Sequence, residues 1–394
     1  MWRNRNVWII LIGELIAGIG LWMGIIGNLE FMQEKVPSDF QKALILSTGL
    51  LAGVLIGPFA GKVIDRTNKK KVLIGAGIGR LISVLFMFVA IQQDSIVWMI
   101  GFVISIQVAS SFYFPALQAT IPLIVDEHQL LVMNGWHMNV ATIARVLGTA
   151  LAGLLLIQIS LSALYWMSFF AYIFLLVTTS MLIVEEAVIP KRAKGDKSGG
   201  FKEVFPILRE FPQVTMTLIM TLIPLLFLGS FNLIVIQLSQ IQDSTSIKGI
   251  VYAIEGISFM IGTVVIKRIT LHVRTKTILF TFAWIVGLAE LFLYVPTNVP
   301  LVLLAFALLG FSLGCFFPTA MLVFQQQMPR AYHGRFFAFR NMLERVMFQV
   351  VLLSSGALLD WIGLQWMAVI FALVSVSLTT FFWLQTKRKN LQFD

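Results

Sequence analysis

Charged residues are scarce in this sequence: Asp, Glu, Lys and Arg make up 12% of its 394 residues, whereas hydrophobic residues make up 58%. An ordinary soluble domain has about 25% charged and about 45–50% apolar residues. This shortage of charge excludes a soluble globular enzyme and a disordered chain. A helix that crosses a bilayer needs about 20 mostly apolar residues. The chain therefore has room for a dozen such helices, but not for a large catalytic domain in water as well.

Cysteine and histidine are also rare. The one cysteine, Cys315, excludes an internal disulfide framework and a cysteine metal cluster. The four histidines are scattered and lack the spacing of a zinc site. The Gly-rich string at 57–62 has the wrong spacing for a phosphate-binding loop, so ATP-driven transport is not supported. We therefore expect no enzyme activity and no bound cofactor or metal.

Twelve apolar runs alternate with polar breaks along the chain. The runs show no polar face that would meet water, which argues against buried helices of a soluble protein. The sequence therefore predicts an all-α membrane protein with twelve transmembrane helices. We place these spans at residues 7–29, 41–63, 72–92, 96–122, 135–158, 161–184, 212–238, 247–266, 277–296, 299–323, 336–358 and 364–385.

The basic residues lie mainly in short loops between the spans, although the net charge of +10 could by itself suggest nucleic acid. If the N-terminus is inside, only Lys35, Lys42 and Lys248 lie on the outer side. Because cytoplasmic loops carry an excess of Lys and Arg, this bias predicts that both termini are cytoplasmic. The loop at 126–134 is the exception, since it has no Lys or Arg. We expect a multi-pass protein of a bacterial-type cell (inner) membrane that does not bind nucleic acid.

The longest cytoplasmic connection is rich in Lys, Gly, Ser and Asp, a composition typical of flexible linkers. It divides the spans six and six, which predicts a bundle at 1–184, a linker at 185–211 and a second bundle at 212–394. The halves also resemble each other: residues 113–116 read Tyr-Phe-Pro-Ala and residues 316–319 read Phe-Phe-Pro-Thr. A repeat of six-helix units is a transporter architecture, with a ligand cavity between the halves near the membrane midplane.

The loop after span two contains Gly61, then Asp65-Arg66, then Lys69-Lys70. Type and spacing resemble the signature loop of the major facilitator superfamily. Asn68 stands where the family usually has a second glycine, and asparagine tolerates the left-handed backbone of such a turn. The resemblance implies that this loop is a gating motif, which latches the outward-facing state against the start of span eleven near Arg335. The alternative, a basic loop that only sets orientation, accounts for the lysines but not for the glycine and aspartate.

The resemblance continues through spans four and five (112–122 and 146–153) and the run before span eleven (325–329). It points to the efflux branch that includes macrolide and siderophore exporters, although Thr149 stands in place of a proline common in drug/proton antiporters. This implies a monomeric secondary active transporter that exports amphipathic drugs or small organic compounds by alternating access, with the proton gradient as energy source. A dedicated exporter of a siderophore or other secondary metabolite is the alternative. A receptor or lipid-processing enzyme is a third class, against which the repeat and the loop argue.

Ionisable residues inside spans are expensive, about 2.5–3.5 kcal/mol at the helix centre on insertion scales, and usually face a cavity or a partner. We expect proton coupling or substrate contact from Glu14, Arg145, Glu255, Glu344 and Arg345, with structural pairing as the alternative. Glu14 is the first choice, because span one lines the cavity in the family. Arg80 and Glu290 lie on spans that are peripheral in the family, which favours a structural role for them.

Aromatic and amide side chains on the spans expected to line the cavity suit amphipathic ligands of varied shape. For any single one of them, ordinary helix packing is the better interpretation. The cavity candidates are Trp22, Phe112, Tyr113, Phe231, Asn232 and Phe316.

Overall fold

A computed structural model describes residues 1–126, 129–184, 204–328 and 333–388, and in these ranges the chain is helical, without strands. One short 3-10 helix, Phe292–Tyr294, follows α11. The α-helices are α1 (Arg5–Lys35), α2 (Asp39–Arg66), α3 (Lys69–Gln92), α4 (Ile96–Ile124), α5 (Leu130–Leu155), α6 (Leu161–Ser180), α7 (Val204–Glu210), α8 (Pro212–Met220), α9 (Leu222–Ile241), α10 (Ser246–Ile269), α11 (Thr275–Leu291), α12 (Val299–Gln327) and α13 (His333–Arg388).

Eleven helical segments of the described chain are long and apolar enough to cross a membrane, and the last of them, Phe339–Arg388, has 50 residues. A straight helix of that length would extend about 75 Å, more than twice the hydrocarbon thickness of about 30 Å. Gly363 interrupts it with a φ of 76°, a conformation open to glycine because it has no Cβ. The segment therefore supplies two crossings, and the prediction of an all-α membrane fold is confirmed.

Polar side chains begin several of the long helices. The side chain of Ser38 accepts a hydrogen bond from the backbone N–H of Gln41, and Ser160 does the same for Ala163. Asn68 caps α3 by accepting from the N–H of Lys71 at 3.1 Å. Its φ of −55° is not left-handed, so the expectation of a left-handed turn at Asn68 is wrong. The polar residue instead satisfies a backbone donor that the helix start leaves unpaired.

Two connections differ from the expectation. α5 begins at Leu130, inside the stretch 126–134 that the sequence assigns to a loop. α7 occupies Val204–Glu210, inside the stretch predicted as linker. The preceding part of that linker, 185–203, lies outside the described residues. Both helices include or adjoin polar residues, and hydropathy alone does not show where a helix begins or ends among such residues.

The chain divides into two compact units, one formed by Met1–Arg192 with Ser244–Ala253 and the other by Ala193–Asp243 with Ile254–Asp394. In the first, α1 packs on α5 and α6, and α4 packs on α2 and α3. Lys248 belongs to this unit, where it is buried and donates a hydrogen bond to Glu30.

In the second unit, α11 packs on α12 and α13, and α13 also packs on α9. Gly310 of α12 lies directly against the backbone of Glu255 on α10, with no room for a Cβ, and Gly314 lies in the same way against Phe259. Small residues allow such close approach of helices in lipid, where hydrophobicity alone does not drive helix association.

Candidate functional site

Glu14 on α1 is the centre of a buried polar cluster in the first unit. Its side chain is nearly inaccessible, with 7% of the residue exposed. The hydroxyl of Tyr113 on α4 donates a hydrogen bond to Glu14 Oε1 over 2.5 Å. Nε2 of His137 on α5 lies 3.5 Å from the other carboxyl oxygen. The Glu14 carboxyl group therefore accepts a hydrogen bond from α4 and lies close to the His137 ring of α5, whose Nε2 makes no hydrogen bond among the described residues.

Arg80 on α3 lies on the other side of Tyr113. Its guanidinium carbon is 4.0 Å from the centre of the Tyr113 ring, 5.2 Å from that of Phe114 and 5.8 Å from that of Tyr172. The arginine is buried, and among the described residues its Nε and Nη2 have no hydrogen-bond partner. Aromatic faces attract a cation, so these rings hold the guanidinium. We call Glu14, Arg80, Tyr113, His137 and Tyr172 the Glu14 cluster.

Small residues of α1 bring the cluster together. An added Cβ at Gly20 would meet the Cβ of Ala171 at 2.6 Å, so α1 and α6 lie close at this level. Ser168 and Tyr165 of α6 donate hydrogen bonds to the α1 carbonyls of Gly20 and Gly24, at 2.9 and 3.0 Å. These contacts place α6, and with it Tyr172, beside Arg80.

The Glu14 cluster brings an acidic group and a cation together within the membrane-spanning helices. A buried charge is costly unless a partner or hydrogen bonds offset it. The Tyr113 hydroxyl donates to the Glu14 carboxyl group, and Arg80 places a positive charge on the face of the same ring. When Glu14 is protonated, the cluster carries one more positive charge. A carboxyl group and a cation that both contact Tyr113 therefore link three helices, α1, α3 and α4.

Arg145, a further ionisable candidate, is half-buried in the first unit, with its guanidinium carbon 5.9 Å from the centre of the Trp22 ring. Glu255, Glu344 and Arg345 belong to the second unit. Glu255 is buried. Glu344 accepts a hydrogen bond from Arg340 Nε at 2.7 Å, whereas Arg345 is exposed.

The gating motif is only partly described. Asp65 lies in the last turn of α2, but its side chain is outside the description, as is that of Arg335. Gly61 has open space on its Cβ side, and Arg66 is exposed. Lys69, the first residue of α3, is buried, and Lys70 is half-buried. The latch role of this loop therefore stays a prediction.

The aromatic candidates separate into different surroundings. Phe231 is buried and packs on Phe227 and Phe306, with ring centres 5.2 and 5.4 Å away. Phe316 is fully buried beside Phe317. Asn232 is half-buried. In the first unit, Tyr113 is part of the Glu14 cluster. The ring centres of Trp22 and Tyr252 are 5.9 Å apart, and those of Phe112 and Phe59 are 6.2 Å apart.

The sequence interpretation left Arg80 and His137 out of the site. It gave Arg80 a structural role because of its span, and it weighed the histidines only as zinc ligands. The signal that points to Arg80 is the scarcity of cations within spans, which makes each one a candidate for function. No such signal distinguishes His137, because nothing in the chain order shows that it comes within 3.5 Å of Glu14.

One string in the second unit imitates a catalytic motif. Residues 310–314 read Gly-Phe-Ser-Leu-Gly, the pattern of a hydrolase nucleophile elbow. The elbow requires a sharp turn between a strand and a helix that exposes the serine. Here the string lies within α12, Ser312 is fully buried, and Gly310 and Gly314 serve the close packing on α10. The string therefore belongs to helix packing.

Comparison with known proteins agrees with this fold. The family profile described as Major Facilitator Superfamily matches residues 10–351 and, again, residues 213–393. Macrolide efflux protein A of Streptococcus pyogenes is 32% identical over 159 residues, which cover 39% of this chain and 38% of that protein. The match thus spans well under half the length of that curated relative. An uncharacterised MFS-type transporter of Bacillus subtilis is 21% identical over 93% of this chain and 89% of that protein.

Solved transporter structures share the fold at low sequence identity. The nucleoside transporter NupG has a TM-score of 0.75 and 16% identity, with 97% of this chain and 99% of that chain covered. A D-xylose-proton symporter has a TM-score of 0.72 and 13% identity, with 96% of each chain covered. At this identity the likeness concerns the fold alone.

Proposed function

Because the chain belongs to the Major Facilitator Superfamily, whose fold and family are those of transporters rather than enzymes, we propose that it is a secondary active exporter of amphipathic drugs or small organic compounds. Export occurs in exchange for protons and by alternating access, in which a binding site opens first to one side of the membrane and then to the other. The observation that carries the proton coupling is the buried carboxyl of Glu14 between Tyr113 and His137.

Glu14 is the proton carrier in this proposal. The ionised carboxylate accepts the Tyr113 hydrogen bond, and Arg80 balances its charge through the tyrosine ring. Protonation of Glu14 removes its negative charge and leaves Arg80 as an uncompensated cation. The two protonation states therefore favour different arrangements of α1, α3 and α4, which is what an exchange of protons for substrate requires.

The substrate class rests on two kinds of support. The relatives named as macrolide efflux proteins match part of the chain at 32% identity or more. Aromatic side chains such as Trp22, half-buried beside Tyr252, suit large amphipathic molecules of varied shape. We propose a bacterial cell membrane as the location, with both termini in the cytoplasm, a monomer as the working state, and the proton gradient in place of a cofactor.

The test is proton-driven accumulation of a radiolabelled macrolide in inside-out vesicles that have an acidic lumen. We expect accumulation to stop when a protonophore collapses the gradient. Glu14→Gln keeps the size of the side chain but removes its exchangeable proton, so accumulation should fall by about tenfold or more. Glu34→Gln is the matched control, because Glu34 lies on the same helix, is 65% exposed and pairs with Lys35.

Three results would count against the proposal. If accumulation continues after the protonophore is added, export is not coupled to protons. If Glu14→Gln keeps full activity, Glu14 is not the proton carrier. A panel of compounds decides the substrate class: export of one secondary metabolite alone, without drugs, would replace drug export by dedicated metabolite export.

A further inference from the structure

A groove with a volume of about 550 Å³ lies in the first unit, between α2, α3 and α4. Its wall is almost entirely apolar. The polar side chains that line it are those of Thr67, Lys71 and Ser105, and Lys71 is exposed. The apolar wall includes Val72, Ala76, Ile82, Ile104, Val108 and Phe112.

Two glycines of α3 line the groove and have different surroundings. Gly79 packs against Ala109 of α4, where an added Cβ would lie 3.2 Å from the Ala109 Cβ. Gly75, one turn nearer to the basic loop, lines the groove and has nothing within 4 Å of the position of a Cβ. α3 and α4 are therefore in contact at Gly79 and leave open space at Gly75, one turn away.

The length of the groove matches one leaflet of a bilayer. Lys71 and Ile82 mark its extent on α3 and are eleven residues apart. At about 1.5 Å per residue this is about 16 Å along the helix axis, and half of the hydrocarbon thickness is about 15 Å. An acyl chain whose headgroup lies at the level of Lys71 would reach the membrane midplane near Ile82.

The charge at the mouth of the groove favours an anion. Lys71 follows Lys70 at the start of α3, and Lys62 and Arg66 are exposed at the end of α2. Basic pockets between transmembrane helices bind anionic lipid headgroups, and each Lys or Arg near the surface adds to this attraction. We propose that this groove is a binding site for an anionic phospholipid, with the phosphate at Lys71 and one acyl chain between α3 and α4.

A phospholipid suits both ends of the groove. Water would find few hydrogen-bond partners along the wall from Val72 to Ile82, whereas an acyl chain fills such a surface favourably. A free phosphate would satisfy Lys71 but leave the apolar part empty. None of the lining residues belongs to the Glu14 cluster, although Gly79 and Phe112 are the sequence neighbours of Arg80 and Tyr113.

The experiment is native mass spectrometry of the full chain in detergent, with phosphatidylglycerol or phosphatidylcholine added at matched concentrations. We expect phosphatidylglycerol to bind more tightly. Lys71→Gln should weaken its binding about fivefold, the effect of one basic residue near a membrane surface, and should reduce the preference over phosphatidylcholine by a similar factor. Gly75→Leu should weaken both lipids about tenfold, because the new side chain displaces several methylene groups.

Two controls keep the result interpretable. Gly135→Leu makes the same substitution at an exposed glycine of α5 that also has open space around it, and it should leave lipid binding unchanged. If Gly75→Leu does not fold, Ile104→Trp blocks the groove from α4 instead. Its matched control is Leu55→Trp, at a 79% exposed position outside the lining. Inorganic phosphate should not compete with the lipid.

The proposal fails if both blocking variants bind phosphatidylglycerol as the unmodified protein does, or if Lys71→Gln leaves the preference for the anionic lipid unchanged. Competition by inorganic phosphate at equal concentration would assign the site to a free anion. Displacement of the lipid by a macrolide that is exported would assign the groove to the transport substrate.

Discussion

The Tyr113 hydroxyl lies 2.5 Å from Glu14 Oε1. Tyr113 also carries the Arg80 guanidinium on its ring face, at 4.0 Å. The hydrogen bond uses the edge of the tyrosine and the cation uses its face, so the two contacts do not compete. One side chain of α4 therefore links an acidic residue of α1 to a basic residue of α3.

Removal of the Tyr113 hydroxyl tests the first of these contacts. Tyr113→Phe keeps the ring beneath Arg80 and deletes the hydrogen bond to Glu14. Side-chain hydrogen bonds inside membrane proteins contribute about 0.6 kcal/mol on average and up to about 1.7 kcal/mol. We expect Tyr113→Phe to lower the midpoint of thermal unfolding in detergent by a few degrees and to slow proton-driven export.

A double-mutant cycle with Glu14→Leu, which removes both acceptor oxygens, separates the hydrogen bond from general packing. If the two side chains interact as described, the effects of the two substitutions on stability are not additive, and the coupling is about 0.5 kcal/mol or more. Strict additivity would mean that the hydroxyl acts on something other than Glu14.

Arg80→Lys tests the second contact. Lysine keeps the charge but lacks the planar guanidinium that stacks on the rings of Tyr113 and Tyr172. A desolvated cation on an aromatic face is worth about 2 kcal/mol. We expect proton-driven export to fall by about tenfold, while substrate exchange without a proton gradient continues.

Arg268→Lys serves as the control for Arg80→Lys, because Arg268 lies in the last turn of α10 and is exposed. Arg268→Lys should change neither proton-driven export nor substrate exchange. Equal losses of proton-driven export and of exchange in Arg80→Lys would indicate a purely structural arginine.

The spans are predictable from the sequence because a helix that crosses lipid must be long and apolar, and this shows as a run of consecutive apolar residues. The helix caps are less accessible: Asn68 suggests a special turn, whereas its side chain caps α3. The sequence marks Glu14 and Tyr113 individually, but it does not predict that the residues of the Glu14 cluster meet, because they come from five helices. Their meeting depends on contacts such as that of Gly20 with Ala171, which no periodicity in one helix reveals.

Gly310→Ala tests the close packing of the second unit. The added methyl group would press on the backbone of Glu255, which cannot move aside as a flexible side chain does. Overpacking of this kind costs about 1–3 kcal/mol, so we expect a lower unfolding midpoint in detergent. Gly135→Ala is the control: its Cβ meets open space, and alanine favours a helix over glycine by about 1 kcal/mol. The prediction is contradicted if both variants shift stability in the same direction.

Asp65→Ala tests the gating motif, whose role rests on the resemblance of the loop to the family signature. A latch that holds one conformation changes the rate of the cycle, and it changes the apparent affinity only as far as the substrate prefers one conformation over the other. We therefore expect Asp65→Ala to slow export several-fold while the equilibrium affinity for the macrolide, measured on purified protein, changes by less than about twofold. Lys62→Ala, which removes an exposed charge from the same helix end, should affect export less. If Lys62→Ala and Asp65→Ala slow export equally, the loop acts through its overall charge, because a latch depends on one carboxylate and a basic surface depends on the sum.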